Sequence, residues 1–389
     1  MSGEALPVAD VGAITRRYRD EIDVAVRRVL DSGWFVMGPE VGAFEREFAA
    51  AAGASHAVAV ANGTDAVELA LRAAGVGPGD VVVTVSHTAT ATVAAVERAG
   101  AVPYLVDVDP DRFTLAPEAL EEALDQLDRH PPAGSSGRVG AVVVVHLYGM
   151  PADMDALGAV AGRVGVPVVE DCAQAHGAML GGRPVGSFGV AGAFSFYPTK
   201  NLGALGDAGA VVTNSTVVAE RVRQLRQYGW VTPQVSERPG ANSRMDELQA
   251  AVLRARLPHL ADENRHRRGL AAAYDSALAP PVRRPPSPAD VPGAEPVYHQ
   301  YVVRIPADAR PGVRDRLADA GIGTALHYPM AVHRQPAYEG RVPCGPLPVT
   351  EGIAGSILSL PIGLHVEPGD ATRVAGALAG ALDGTGPAA

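Results

Sequence analysis

The stretch GAFSFYPTKNLGALGDAGAVVT (192–213) holds two apolar runs, GAFSFY and GAVVT, joined by a turn through Pro198 and a glycine-rich segment that carries one lysine, Lys200. Both outer runs are short, rich in β-branched or aromatic residues and bounded by Gly or Pro, which marks them as strands. Upstream the same pattern recurs in HAVAVAN, DVVVTVS, AVPYLVDVD, GAVVVVHL and VPVVED, each separated from the next by an Ala-rich helical pattern. Together these make seven candidate strands. Their near-continuous apolar character and the intervening helices predict an α/β fold, with a seven-stranded, mostly parallel sheet covered on both faces. In such sheets functional groups collect at the carboxyl ends of the strands.

Ahead of this region, ITRRYRDEIDVAVRRVLDSG (14–33) places Ile14, Tyr18, Ile22, Val26 and Val29 on one face and stops at Gly33, predicting a single amphipathic helix. Behind it, MDELQAAVLRARLPHLADENRHRRGLAAAYDSAL (245–278) predicts a helix kinked at Pro258 that bridges from a large domain to a small one. The remainder, with YHQYVVRI (298–305), VRDRLADAG (313–321) and a terminal helix, reads as a small α+β unit. The expected division is 1–255 for the large domain with its N-terminal helix and 256–389 for the small C-terminal domain. Two segments, 129–140 and the proline-rich 279–296, read as loops, the second inside the later domain.

Composition excludes several classes. With 389 residues, 47% hydrophobic and 20% charged, the chain is neither disordered nor fibrous. Apolar runs such as VGAVVVVHL (139–147) are too short to span a bilayer, and MSGEALPVADVG (1–12) lacks the basic and apolar regions of a secretory signal, so a cytoplasmic location is expected. A formal charge of −10 argues against a nucleic-acid partner, and the basic cluster ENRHRRG (263–269) is expected to be a solvated helix face. Cys172 and Cys344 lack the spacing of a disulfide framework or a zinc site. Both are expected to be small buried hydrophobes, and no metal site is expected.

The residues that carry chemistry lie at strand ends. HAVAVAN runs into Gly63, Thr64 and Asp65 at the start of a helix, a candidate phosphate cradle whose plainer alternative is an ordinary capped helix start. VPVVE delivers Asp171, with Gln174 three residues on. A carboxylate at the end of a buried strand needs a cationic or hydrogen-bonding partner; a protonated pyridine nitrogen is one, and a helix cap or structural ion pair is the alternative. Lys200, five residues after Ser195, sits on a tight loop at the sheet edge, where desolvation lowers an amine's pKa and makes it nucleophilic near neutral pH.

With these residues in place, the chain resembles the DegT/DnrJ/EryC1/StrS family of sugar aminotransferases over nearly its whole length. The resemblance is carried by SGWFVMGPEVGAFEREFA, NGTDAVELAL, EDCAQAHGA, 192–213 itself, GANSRMDELQAAVL, VYHQYVV, GIGTALHYPMAVHRQPAY and ILSLPI. It implies a fold type I, aspartate-aminotransferase-like architecture, pyridoxal 5′-phosphate as cofactor, and a homodimer with shared active sites. Position by position, it implies that Lys200 forms the Schiff base with the cofactor and shuttles the α-proton, that Asp171 partners the pyridine nitrogen, and that Gln174 lies near the phenolic oxygen. Gly63, Thr64 and Ser195 would hold the phosphate, and Asn242 would reach the phosphate bound in the other subunit. Arg244 is implied as an anion contact for glutamate or substrate, with pairing to Asp246 or Glu247 as the alternative. His327, Tyr328 and His333 match the substrate-facing segment; for His333 a loop residue satisfied by its surroundings is the alternative.

The activity implied is a ping-pong transfer from glutamate to a nucleotide-linked, dTDP-type keto-6-deoxyhexose. Rival readings are amination of a keto-cyclitol such as scyllo-inosose, a sugar dehydratase, and a cofactor-binding regulator without turnover. Lys200 weighs against the dehydratase, whose lysine is replaced by histidine. A nicotinamide dehydrogenase would need a GxGxxG turn that NGTDAV does not supply. One departure stands out: many relatives carry an aromatic residue that stacks on the cofactor where this chain has Ala89, and His87 or a neighbour is the expected replacement.

Overall fold

The computed structural model describes residues 5–384; residues 1–4 of MSGEALPVADVG and residues 385–389 of the terminal segment lie outside the described residues. All seven apolar runs become strands of one sheet: β1 (His56–Val60), β2 (Val81–Val85), β3 (Val102–Val106), β4 (Val139–Val145), β5 (Val168–Asp171), β6 (Ala191–Ser195) and β7 (Gly209–Thr213). Their spatial order is β1-β7-β6-β5-β4-β2-β3. The pairs β2–β3, β2–β4, β4–β5 and β5–β6 are parallel, whereas β7 runs antiparallel to both β1 and β6.

Alternation along each strand divides the core between the two faces. Val83, Val85, Val142 and Val144 pack with Leu120, Leu124 and Leu127 of helix Pro117–Arg129 and Leu157 of helix Met154–Arg163. Val82, Val143, Val169, Ala193 and Val211 face the other way, onto Leu69 of helix Gly63–Ala73, Val96 of helix Thr90–Arg98 and Val222 of helix Thr216–Leu225. With both faces buried, the strands are apolar at nearly every position, which is why they were legible as runs.

The later part of the chain builds a second core. Antiparallel strands β8 (Tyr301–Arg304) and β9 (Ile357–Leu360) pack with helices Leu260–Ala277, Arg310–Asp319 and Pro368–Leu382 around Leu270, Tyr274, Val303, Leu317, Leu358 and Val374. Leu6 joins this cluster through a bridge to Ile322, so the beginning of the described chain packs with its end. The bridging helix bends as expected at Pro258: helix Glu247–Arg256 gives way to a 3-10 turn, Leu257–His259, before the next helix starts at Leu260.

Several local expectations are corrected. The opening helix is two helices, Val11–Arg17 and Arg19–Ser32, broken at Tyr18, whose ring stacks on His259 at 4.5 Å; a tertiary contact overrides the continuous periodicity. The basic cluster 263–269 is a solvated face only in part, through exposed Arg265. Glu263, Asn264 and Arg267 are buried, and Arg267 donates to the carbonyls of Tyr298 and His299. Cys172 is buried as expected, but Cys344 is exposed, because it lies in the irregular segment that follows Pro343 at the edge of β3. Within the proline-rich 279–296, Ala294–Glu295 does form a short strand, paired antiparallel with Met179–Leu180.

Candidate active site

The connection 196–208 links two antiparallel neighbours, β6 and β7, whose register pairs Ser195 with Gly209. Both ends of the loop are therefore held at the same edge of the sheet. Its interior is tied by bonds from Phe196 N to Ala208 O, Lys200 N to Tyr197 O and Ala204 N to Phe196 O, all between 2.7 and 2.8 Å. Arg256 of the bridging helix donates to Gly203 O at 2.6 Å. Lys200 thus projects from a pinned loop rather than from a flexible glycine-rich one.

Lys200 faces a cavity of about 240 Å³ at the carboxyl ends of the strands, lined by Gly63, Thr64, Thr88, Ala89, Thr92, Asp171, Gln174, Ser195 and Tyr197 among others. Burial lowers the lysine's pKa to about 8, against an opposing pull from the Asp171 carboxylate. No hydrogen bond to its Nζ is present among the described residues, so the amine is free to react. Asp171 is 6% exposed and accepts from Thr92 Oγ1 at 2.8 Å and Ala173 N at 3.1 Å.

At one end of the cavity, the Asn62 side chain caps helix Gly63–Ala73 by accepting from Asp65 N at 2.8 Å. The N–H groups of Gly63 and Thr64 have no partner among the described residues, leaving two donors at a positive helix end. A Cβ on Gly63 would stand 2.5 Å from Ser195 Cβ, so only glycine lets the helix start approach this hydroxyl so closely. Gly63, Thr64 and Ser195 converge on one small volume that suits an anion.

Six of the sequence-derived residues, Gly63, Thr64, Asp171, Gln174, Ser195 and Lys200, line this one cavity. Tyr328 reaches its margin by accepting from Gln174 Nε2 at 3.1 Å. The His327 ring bonds Ser359 Oγ at 2.8 Å, and burial together with the nearby Lys200 charge lowers its pKa to about 4. His333 lies outside the cavity: Nδ1 meets Ser86 Oγ at 2.7 Å and Nε2 meets Glu351 at 3.3 Å. Asn242 is exposed and also outside it, next to Ser243, whose hydroxyl donates to Asp65. Arg244 forms no ion pair among the described residues. Glu247, its expected alternative partner, instead accepts from the backbone N–H groups of Gly38, Glu40 and Val41.

The expected role of His87 is corrected. Its ring is buried away from the cavity, against Phe113 and Tyr148 with centroids 6.0 Å from each, and Nε2 bonds the Tyr148 hydroxyl at 2.8 Å. The cavity wall beside Ala89 is formed by small side chains, Thr88, Ala91 and Thr92. Thr92, which donates to Asp171, was missed. Its signal was the HTATAT run immediately after a buried strand, where a threonine one helical turn on from Thr88 lands on the same face. Tyr148 was missed as well, and no motif marked it.

Residues 16–379 match one protein family, from the opening helices to near the end of the last. The chain belongs to the DegT/DnrJ/EryC1/StrS aminotransferase family. It is 47% identical over 372 residues, 95% of this chain and 94% of the relative, to a dTDP-3-amino-3,4,6-trideoxy-alpha-D-glucose transaminase of Streptomyces venezuelae. It is 48% identical over 364 residues, 93% and 95% of the two chains, to the erythromycin biosynthesis sensory transduction protein EryC1 of Saccharopolyspora erythraea. The crystal structure of S. venezuelae DesV in complex with a ketimine intermediate matches with a TM-score of 0.89 at 45% identity, covering 99% of this chain and 100% of that one. The DegT/DnrJ/EryC1/StrS assignment agrees with the fold type I, aspartate-aminotransferase-like architecture that the resemblance implies, and the seven-stranded, mostly parallel sheet with the one expected from the strand pattern. No described helix is long and apolar enough to cross a membrane.

Proposed function

We propose that this chain is a pyridoxal-phosphate-dependent aminotransferase that moves an amino group from glutamate to the C3 ketone of a dTDP-linked keto-6-deoxyhexose, for amino-sugar and antibiotic biosynthesis. The observation that carries the reading is the convergence, in one cavity, of a desolvated Lys200, the buried Asp171 carboxylate and the free donors of Gly63, Thr64 and Ser195. These residues fit the cofactor: an amine for its aldehyde, a carboxylate for its ring nitrogen and an anion cradle for its phosphate. When bound, pyridoxal phosphate supplies the electron sink for the carbanion left as the donor loses its α-proton.

The chain's own groups divide the remaining work. Lys200, with a pKa of about 8, carries a sizeable free-amine fraction near that pH; it would hold the cofactor through Nζ and would take and return the donor's α-proton at the same atom. Asp171 would face the ring nitrogen, where its negative charge would favour a proton. Gln174 lines the cavity and would lie near the cofactor's phenolic oxygen. Gly63, Thr64 and Ser195 orient the phosphate, and Asn242 serves the site of a second subunit. Arg244, His327 and Tyr328 are assigned to the carboxylate and sugar side. His333, resting on Ser86 and Glu351, is assigned to holding that segment in place.

The C3 position is taken from the name of the S. venezuelae transaminase, at 47% identity. The homodimer is supported by exposed Trp34, Phe35, Val36, Leu205 and Tyr228 around the start of helix Glu247–Arg256. Division into domains 1–255 and 256–389 is supported by the separate core around β8 and β9. A cytoplasmic location accords with the absence of a membrane-spanning helix among the described residues.

The test is a pair of half-reactions. Glutamate is expected to convert bound pyridoxal phosphate to the pyridoxamine form, and a 3-keto dTDP-sugar to reverse it. Borohydride should leave a pyridoxyl group on Lys200, located by peptide mass spectrometry. Reversal by scyllo-inosose but by no keto-sugar would replace the substrate assignment with the cyclitol, and inertness toward every amino donor would replace the enzyme with a regulator.

A further inference from the structure

Tyr148 follows the end of β4 at φ +59°, a left-handed conformation rare for an aromatic L-residue, and it is 5% exposed. Gly149 beside it is also left-handed, at φ +88°. A Cβ there would come within 3.0 Å of Gln174 O and His299 N, so the turn is pressed between the β5 end and the later chain. A buried tyrosine in this backbone conformation persists only if its contacts hold it there.

Those contacts form a closed circuit. Tyr148 N donates to Gln174 Oε1 at 2.6 Å. Because a backbone N–H can only donate, this fixes which end of the amide is oxygen and leaves Nε2 as the donor, which bonds the Tyr328 hydroxyl at 3.1 Å. Tyr328 is bonded through the chain to His327, whose carbonyl accepts from the Tyr148 hydroxyl. The phenol has one proton, and that carbonyl uses it. The bond of 2.8 Å from His87 Nε2 must therefore be donated by the imidazole, which fixes His87 as the Nε2–H tautomer. Burial lowers the His87 pKa to about 4 and raises that of Tyr148, so both rings stay neutral near pH 7. Phe113 closes the aromatic trio, 5.8 Å from Tyr148.

We propose that Tyr148 is a positioning residue for transamination: its backbone N–H orients Gln174 in the cavity wall, and its hydroxyl, itself oriented by His87, holds the His327–Tyr328 segment at the cavity margin. This role rests on the aminotransferase reading. It also gives His87 a task that its sequence position beside Ala89 had obscured: it does not cover the cofactor but sets the direction of the tyrosine proton.

Tyr148→Phe keeps the ring and the backbone N–H and deletes only the hydroxyl. In cofactor-free wild-type protein, histidine nitrogen NMR is expected to show His87 as a neutral Nε2–H tautomer through pH 6, and in Tyr148→Phe that proton, its acceptor gone, should exchange at least about tenfold faster. In loaded protein, kcat/KM for the glutamate half-reaction is expected to fall about ten- to a hundredfold, as for a small displacement of a positioned group. Affinity for pyridoxal phosphate should stay within about twofold, since the hydroxyl does not touch the cradle. Tyr328→Phe opens the same circuit at Gln174, so the double variant should lose little more than the larger single one. The proposal is overturned if the double loss equals the product of the singles, or if His87 is the other tautomer. It is equally overturned if Tyr148→Phe loses stability and cofactor affinity while each loaded site reacts at the wild-type rate. Inertness of the wild type toward glutamate, with the His87 signature present, would overturn the functional reading itself and this role with it.

Discussion

Glu170 and Asp171 are consecutive carboxylates at the end of β5, and the two-residue period of a strand sends them to opposite faces. Glu170 is wholly buried and accepts four bonds: from His146 Nε2 at 3.0 Å and from the backbone N–H groups of Gly186, Phe188 and Gly189, each at 2.7 Å. Ala152 N donates to His146 Nδ1, which leaves Nε2 as the ring's donor. Among the described residues, Asp171 accepts only from Thr92 and Ala173. A carboxylate has about four lone-pair sites, so one neighbour is saturated and the other half-filled. Spare acceptor capacity, rather than burial, separates the carboxylate available to a ligand from the one that ties β5 to the 186–189 turn.

Substitutions can break this contrast. Asp171→Asn keeps the shape and an acceptor for Ala173 N but removes the charge, and the rotatable Thr92 hydroxyl can turn to accept from the new amide nitrogen. The substitution should cut kcat of the glutamate half-reaction about 10³-fold, roughly 4 kcal/mol, with thermal stability nearly unchanged. Glu170→Gln should do the reverse. Each oxygen of Glu170 accepts two of the four bonds, so an amide nitrogen in either place would face two donors; this is expected to cost about 3 kcal/mol of folding free energy in denaturant titration, while turnover per folded molecule stays within a few-fold. If the two effects are interchanged, the distinction is wrong.

Lys200→Met probes the other charge facing the half-filled carboxylate. The lysine's folded pKa of about 8 lies below its ordinary value of 10.5, so the cost of burying its charge is complete below pH 8. The cost fades between pH 8 and 10.5 and is absent above. Cofactor-free Lys200→Met should accordingly be more stable than wild type by about 2 kcal/mol at pH 7, after allowing for solvent screening, and the gain should vanish by about pH 10.5. A gain that grows with pH would contradict the desolvation argument. The smallest effect belongs to Thr92→Val, which removes one of the two donors to Asp171. About 1 kcal/mol, or a several-fold lower half-reaction rate, is expected, restored by Thr92→Ser.

Much of the fold was legible because the sheet is covered on both faces, so each of the seven strands is a short, largely apolar run bounded by turns. Strand order was not legible, nor was the antiparallel sense of β7, since pairing depends on contacts far apart in sequence. The break at Tyr18 and the burial of Glu263, Asn264 and Arg267 escaped for a related reason: each depends on a partner, His259 or the carbonyls of Tyr298 and His299, that lies on another segment. In the site, Lys200, Asp171, Gln174, Gly63, Thr64 and Ser195 stood out because strand ends converge in an α/β sheet. Thr92 and Tyr148 act through a second residue, and such roles leave no spacing to read. His87 was misplaced because sequence proximity to Ala89 says nothing of which way a side chain turns after the strand ends.

The antiparallel pairing of β6 with β7 makes the lysine loop a span fixed at both abutments. A chain advances about 3.3 Å per residue, so inserting or deleting one residue between 196 and 208 would shift the Lys200 amine by more than the length of a hydrogen bond, with no slack at either end to absorb it. The segment 327–335 is held by separate point contacts, from Tyr148 and Gln174 at its start and from Ser86 at Val332 and His333, rather than by strand pairing at both ends, and it meets the cavity only at its margin. Laboratory diversification for new acceptor ketones therefore has its room there, whereas the span from Ser195 to Gly209 behaves as a part of fixed gauge.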